Sequence, residues 1–135
     1  MMVPSSRQLE PMAQRYGLRL IVLFGSQVSG RLHPESDVDV AVWSTGSLTS
    51  AQRLDLWREL SEAFEAEVDL GVLNHAEPIF LFQVARTGHR LYEQRRGEWT
   101  EFRAYAFRYY WDTEQLRDDL TRYIRRQTAG TRRAG

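Results

Sequence analysis

Apolar and polar positions along the chain change their period several times, and each change marks an element. Leu9, Met12, Ala13 and Tyr16 fall at i, i+3, i+4 and i+7, so the spacing predicts a helix over Arg7 to Tyr16. Pro4-Ser5-Ser6 precedes it as an N-cap region, and Gly17 ends it. The short apolar run Leu20-Ile21-Val22-Leu23-Phe24 is bounded by Gly25 and predicts a buried strand beginning near Leu18. Asp37-Val38-Asp39-Val40-Ala41-Val42 alternates, which predicts a second strand with Val38, Val40 and Val42 facing a core and both carboxylates on the other face. Leu56, Trp57, Leu60 and Phe64 form the buried stripe of a helix from about Thr49 to Glu65. Its opposite face carries Asp55, Glu59, Glu62 and Glu65 and reads as solvated. A third strand follows over Glu67 to Leu73.

Pro78 suits the first turn of a helix that runs to about Arg86, apolar on most sides and stopped by Thr87-Gly88. His89 to Glu93 reads as a short edge strand. A long helix then extends from about Glu98 to Arg126, with Phe102, Tyr105, Ala106, Tyr109, Leu116, Leu120, Tyr123 and Ile124 expected to pack on the body. Phe107, Tyr110 and Trp111 lie off that stripe and are expected to contribute to a partner surface. The layout is that of an α/β (α+β) domain, a small mixed twisted sheet of three main strands with a fourth at its edge, packed against helices. Residues 1–127 are expected to form one domain, with a core over about 18–75, a helical part over about 77–127 and a disordered tail at 128–135.

Composition narrows the function classes. A chain of 135 residues has room for one modest core. Its formal net charge is zero, which argues against nucleic-acid binding by bulk charge. All 18 Lys-plus-Arg residues are Arg, and there is no Cys for a disulfide, a thiolate metal site or a thiol nucleophile. No segment reads as a signal peptide or a membrane span, so a cytoplasmic location is expected.

The chemistry concentrates between Leu20 and Trp43. Asp37 and Asp39 repel each other on one strand face, and a divalent cation removes that cost. Mg²⁺ is hard, prefers oxygen, and is commonly held by one or two carboxylates plus substrate phosphates. Gly25 lets a ligand approach the backbone closely. Ser26 stands where a helix would begin, with N–H groups and the positive dipole end suited to a phosphate. Asp69 is an acid in an otherwise apolar strand and should face a cation or an open cleft. Glu67 shares its face by alternation and is the rival. The three His are scattered without metal spacing.

Gly25-Ser26, ten residues, then Asp37-x-Asp39 resembles the signature of the polymerase-β-like nucleotidyltransferase superfamily. Gly30, Pro34 and Ser36 look like its small branch, the minimal nucleotidyltransferases, commonly antitoxins of HEPN-domain ribonuclease toxins. Gln27 departs from the Arg frequent in that branch, and Arg31 is a substitute. The resemblance implies the polymerase-β-like nucleotidyltransferase fold and transfer of AMP from ATP, as co-substrate, to a hydroxyl. It implies two Mg²⁺ ions, replaceable by Mn²⁺, held by Asp37 and Asp39, with Asp69 as the third carboxylate and metal ligand. Gly25, Ser26, Arg31 and Ser36 would contact the nucleotide and its phosphates. The implied partner is a HEPN toxin modified on a tyrosine in a hetero-oligomer, with no membrane and no direct nucleic-acid binding. The alternatives are a small-molecule nucleotidyltransferase of the aminoglycoside-modifying kind and an antitoxin that acts by binding alone.

Overall fold

A computed structural model describes residues 2–25 and 38–134; for Gln115 and residues 128–134 it describes the backbone. Helix α1 (Ser6–Tyr16) leads into strand β1 (Leu18–Phe24), and strand β2 (Val38–Ser44) follows. Helix α2 (Ser50–Phe64), strand β3 (Val68–Val72), helix α3 (Pro78–Thr87), strand β4 (His89–Glu93) and helix α4 (Glu98–Ala134) complete the chain. The four strands form one sheet in the order β3-β2-β1-β4. The β1–β2 and β1–β4 pairs are antiparallel, and β2–β3 is parallel, joined across α2.

Local chemistry explains where the helices begin and end. Ser5 and Thr49 each form a capping box, with Gln8 and Gln52 as the reciprocal partners. Each box satisfies two orphan N–H groups and is worth about 1 kcal/mol. Gly17 closes α1 in the left-handed conformation at φ 65°. Glu93 accepts a hydrogen bond from the Trp99 N–H at 3.1 Å and so caps the start of α4.

The sheet separates two cores. On one face Val38, Val40 and Val42 pack with Leu9, Met12, Leu56, Leu60 and Phe64 of α1 and α2. On the other, Leu20, Val22 and Ala41 pack with Leu81 and Val84 of α3 and with Phe102 and Ala106 of α4. The alternation in β2 is therefore resolved as expected, valines into the first core and Asp39 toward the face that carries α3 and α4. Asn74 locks the far ends of β2 and β3 together, accepting from the Ser44 N–H at 3.0 Å and donating to the Ser44 carbonyl at 2.8 Å. Among the described residues no helix is long and apolar enough to cross a membrane.

Helix α4 departs from its expected packing. Phe102 and Ala106 are buried, but Tyr105, Tyr109, Leu116, Leu120, Tyr123 and Ile124 are exposed. Phe107 and Tyr110, expected at a partner surface, instead pack on α3: the Tyr110 ring stacks on Phe82 at 4.1 Å between centroids. Trp111 is exposed as expected. The helix also runs past the expected end near Arg126, to Ala134. At 1.5 Å per residue such a helix of 37 residues spans about 55 Å. Helical periodicity defines a face but not the length of protein available to cover it.

One polar contact ties α1 to α2. The Tyr16 hydroxyl and the Arg15 guanidinium both donate to the Glu59 carboxylate. The hydrogen bond to Glu59, aided by burial, pushes the Tyr16 phenol up to about 12. Burial works against the Glu59 charge, but the hydrogen bonds from Tyr16 and Arg15 outweigh it and hold that carboxyl below its ordinary range. Tyr16→Phe should therefore cost about 1 kcal/mol at neutral pH, the lower end for a charge-assisted bond that is partly exposed. The raised Tyr16 contributes stability in full below about pH 10, lost as pH rises through about 12. The depressed Glu59 contributes stability above about pH 4.5, lost as pH falls through its lowered folded value. Urea denaturation should show the gap between wild type and Tyr16→Phe at pH 7 and a smaller gap near pH 3.

Candidate active site

The pairing registers set three residues in one row across the sheet. Phe24 of β1 lies opposite Asp39 of β2, and Asp39 lies beside Asp69 of β3. Because β1 is antiparallel to the other two, its C-terminal end meets the N-terminal ends of β2 and β3. Gly25, Asp39 and Asp69 therefore gather at one edge of the sheet. The Val38 N–H donates to the Glu67 carbonyl at 2.9 Å, which continues the parallel ladder just ahead of the two acids. By alternation Asp69, Gly71 and Leu73 share the face of Asp39, Ala41 and Trp43.

Adjacent strands lie about 4.8 Å apart, so the two carboxylates stand side by side. Asp39 is half-buried and Asp69 exposed. Two like charges at that spacing repel by on the order of 1–3 kcal/mol, depending on how much water screens them. The register also separates the two rivals. Asp69 is level with Asp39 within β3, whereas Glu67 precedes the strand.

Gly25 is fitted to Asp39. Its φ is 83°, a left-handed value that favours glycine, and a Cβ there would run into the Asp39 carboxylate, with its carbon at 3.2 Å. The backbone leaving β1 thus passes directly against a carboxylate, at the position where the sequence places a phosphate-binding turn. Behind the acids the site is apolar. Phe80, at the start of α3, meets Phe24 edge-on at 5.6 Å between centroids. Gly71 makes room for it: a Cβ at Gly71 would come within 2.8 Å of the Phe80 ring. Neither Phe80 nor Gly71 was singled out from the sequence. A glycine inside a strand is the available signal, since it marks a close approach by another group.

Ser26, Arg31, Ser36 and Asp37, all expected in the site, lie outside the described residues. Among the described residues no group of three acids, His or Cys could hold a metal by itself. Asp39 and Asp69 form a pair of hard oxygen donors beside a backbone that only glycine can bring so close. That donor set fits a divalent cation carrying phosphate. A cavity of about 490 Å³ lies elsewhere, lined by Trp43, Asn74, Tyr105 and Tyr109 among others. Trp43 is four residues along β2 from Asp39, roughly 13 Å at 3.3 Å per residue, so this cavity is not part of the acidic cluster.

The sequence profile described as polymerase beta, nucleotidyltransferase matches residues 7–97, most of the chain. The chain belongs to this nucleotidyltransferase family. It is 37% identical over 81 residues to a protein adenylyltransferase MntA of Shewanella oneidensis, covering 60% of this chain and 58% of that protein. It is 30% identical over 100 residues to an MntA of Aphanizomenon flos-aquae, covering 63% of each. The chain thus spans about three-fifths of the length of these relatives. Among solved structures it superposes on one of a toxin–antitoxin with AMP-PNP, at TM-score 0.75 and 25% identity, covering 90% of this chain and 98% of that one. It shares the fold of an MNT antitoxin solved in complex with a tri-AMPylated Shewanella oneidensis HEPN toxin, at TM-score 0.68 and 23% identity, covering 88% and 94%. The expected fold, with a mixed sheet and a long C-terminal helix, is the fold observed.

The contact between Gly25 and Asp39 can be tested directly. Gly25→Ala should cost about 1–2 kcal/mol of stability through backbone strain. By displacing the Asp39 carboxylate it should also weaken divalent-cation-dependent ATP binding by roughly 10- to 100-fold. Gly46→Ala is the control: no atom lies within 4 Å of a Cβ there. Thermal denaturation and calorimetric titration of the two variants separate these outcomes.

Proposed function

We propose that this chain transfers AMP from ATP to a tyrosine hydroxyl of a HEPN-type toxin and thereby acts as its antitoxin in the cytoplasm. The observation that carries the reading is the row of Asp39 beside Asp69, closed by Gly25, at one sheet edge of a nucleotidyltransferase. The relative named protein adenylyltransferase supports AMP as the group moved and a protein as the acceptor. The toxin–antitoxin neighbour holding AMP-PNP supports a toxin partner and an adenine nucleotide.

Asp37 and Asp39 would hold two Mg²⁺ ions, or Mn²⁺ in their place, with Asp69 completing the acidic set. When bound, such ions would neutralise charge on the carboxylates and on the phosphates. Gly25 and Ser26, with Arg31 and Ser36, would cradle the outer phosphates and aim the α-phosphate at the acceptor. The acceptor oxygen attacks the α-phosphorus, the bond to the bridging oxygen breaks, and pyrophosphate leaves with the electron pair. Asp69, exposed at the mouth of the row, takes the hydroxyl proton. Phe24 and Phe80 wall the inner side and exclude water. The result is an anionic nucleotide attached to the toxin. Set beside an RNA-cleaving site, it repels the RNA backbone and blocks access.

Intact-mass spectrometry of a HEPN-type toxin, sought among the genes adjacent to this one, tests the proposal. With wild type, ATP and Mg²⁺ the toxin should gain whole AMP increments, and with Asp37→Asn plus Asp39→Asn it should gain none. Asp69→Asn should slow transfer by at least about 100-fold, whereas Glu67→Gln should leave it nearly unchanged. An unmodified toxin that is still neutralised by the double variant would establish inhibition by binding alone.

A further inference from the structure

Strand β3 ends the sheet on the side of the acids, and its outer backbone is only partly closed. The Val38 N–H donates to the Glu67 carbonyl, and the Leu73 N–H donates to the Val42 carbonyl. With the parallel register, these two bonds set the parity of the strand. Glu67, Asp69, Gly71 and Leu73 turn their N–H and C=O groups toward β2, and Val68, Leu70 and Val72 turn theirs outward. At Val68 both outward groups are taken by α2. Its N–H donates to the Ser61 hydroxyl at 3.2 Å, and its carbonyl accepts from the Trp57 indole at 2.6 Å. At Leu70 and Val72 the outward groups have no partner among the described residues, and both residues are half-buried. An open strand edge is a template for another chain, and proteins commonly blunt it. Here the blunting by α2 stops at Val68. The other lateral strand, β4, is separated from Asp39 by β1, so the open stretch of β3 is the one beside the acidic row.

An extended segment added there obeys the pleat. Its residue opposite Asp69 presents its side chain to the face that carries Asp39 and Asp69. Laid antiparallel, the segment exchanges both backbone bonds with Leu70 and both with Val72. The residue opposite Asp69 then sits in a non-hydrogen-bonded pair, where opposing side chains come closest. A tyrosine at that position brings its ring alongside the carboxylate proposed to take its proton. Two residues before the tyrosine, the segment passes Gly71, where no Cβ stands and the Phe80 ring lies, so an apolar side chain fits. Beyond the tyrosine, Trp57 and Ser61 block the ladder at Val68. A shallow cavity of about 340 Å³, lined by Trp57, Arg58, Ser61 and Glu67 among others, receives the segment as it leaves.

We propose that the open edge of β3 at Leu70 and Val72 binds the acceptor protein as an added antiparallel strand, with the tyrosine to be modified opposite Asp69. The inference rests on the transfer reading above. It adds the form in which the acceptor arrives, an extended segment with an apolar residue two places before the tyrosine.

Val72→Pro is the first test. It removes one outward donor and sets a ring against the incoming strand, while other residues make the bonds from β3 to β2. It should lower kcat/KM for modification of a HEPN-type toxin, read by intact mass, at least about tenfold. Its melting shift with ATP and Mg²⁺ should equal that of wild type, which reports an intact fold and nucleotide site. The second test leaves the protein untouched. A synthetic peptide spanning the toxin's modified tyrosine, with Phe in place of that tyrosine, should compete with the toxin. N-methylation of the first or the third residue before the Phe should weaken competition roughly tenfold. N-methylation of the Phe itself, or of the second residue before it, should not, because those amides point away from β3. Should the proline unfold the chain, the peptide decides alone. Undiminished transfer by a folded Val72→Pro overturns the proposal and leaves the transfer reading in place. A peptide that does not compete, or is indifferent to which amide is methylated, does the same. Sensitivity confined to the second and fourth residues after the Phe overturns the antiparallel arrangement. A toxin that wild type itself leaves unmodified overturns the transfer reading, and this inference with it.

Discussion

Two carboxylates held side by side on parallel neighbouring strands are the constraint on which the rest of the molecule depends. Asp39 and Asp69 are level in the β2–β3 ladder. Two like charges at that spacing repel each other by on the order of 1–3 kcal/mol. The surrounding structure makes that spacing unavoidable. Val38, Val40 and Val42 lock β2 into the α1–α2 core, so Asp39 cannot turn away without exposing three valines. Slipping β2 by one residue would move every side chain to the opposite face. The Asn74 clamp on Ser44 holds the other end of the same pair.

The site is built by removing side chains as much as by supplying them. Gly25 brings the backbone against Asp39, and Gly71 admits Phe80 beside Phe24. A hydrophobic wall lies on the inner side of the acids and water on the outer. Carboxylates, a glycine backbone and solvent meet at one edge of the sheet, the layout that the proposed in-line displacement would need. Both cores lie behind this edge.

Much of this was legible in the residues. The alternation of carboxylate and valine in β2 stated which way Asp39 points, and the cap region Pro4-Ser5-Ser6 marked the start of α1. Asp69 and Glu67 were not separable by alternation, because both fall on the same face; only the parallel register with β2 ranks them. The Gly71–Phe80 contact joins residues of different elements and has no local signature. Helix α4 was misread because Tyr105, Leu116 and Tyr123 repeat at the spacing of buried positions while lying open. Tyr110, off that stripe, found Phe82 instead. A periodic stripe records that something covers a face, and a single chain does not contain everything that covers it.

The central claim is that the acidic row is a site for a nucleotide and its cation. The most direct measurement is the melting temperature with ATP, with and without Mg²⁺, for wild type and for Asp37→Asn plus Asp39→Asn. A ligand that binds only the folded state raises the transition by mass action. Wild type should shift only when ATP and the cation are both present. The double variant should stay folded and show no shift, with its apo form as stable as wild type or more so once the repulsion is gone. A full cation-dependent shift in the double variant would contradict the account.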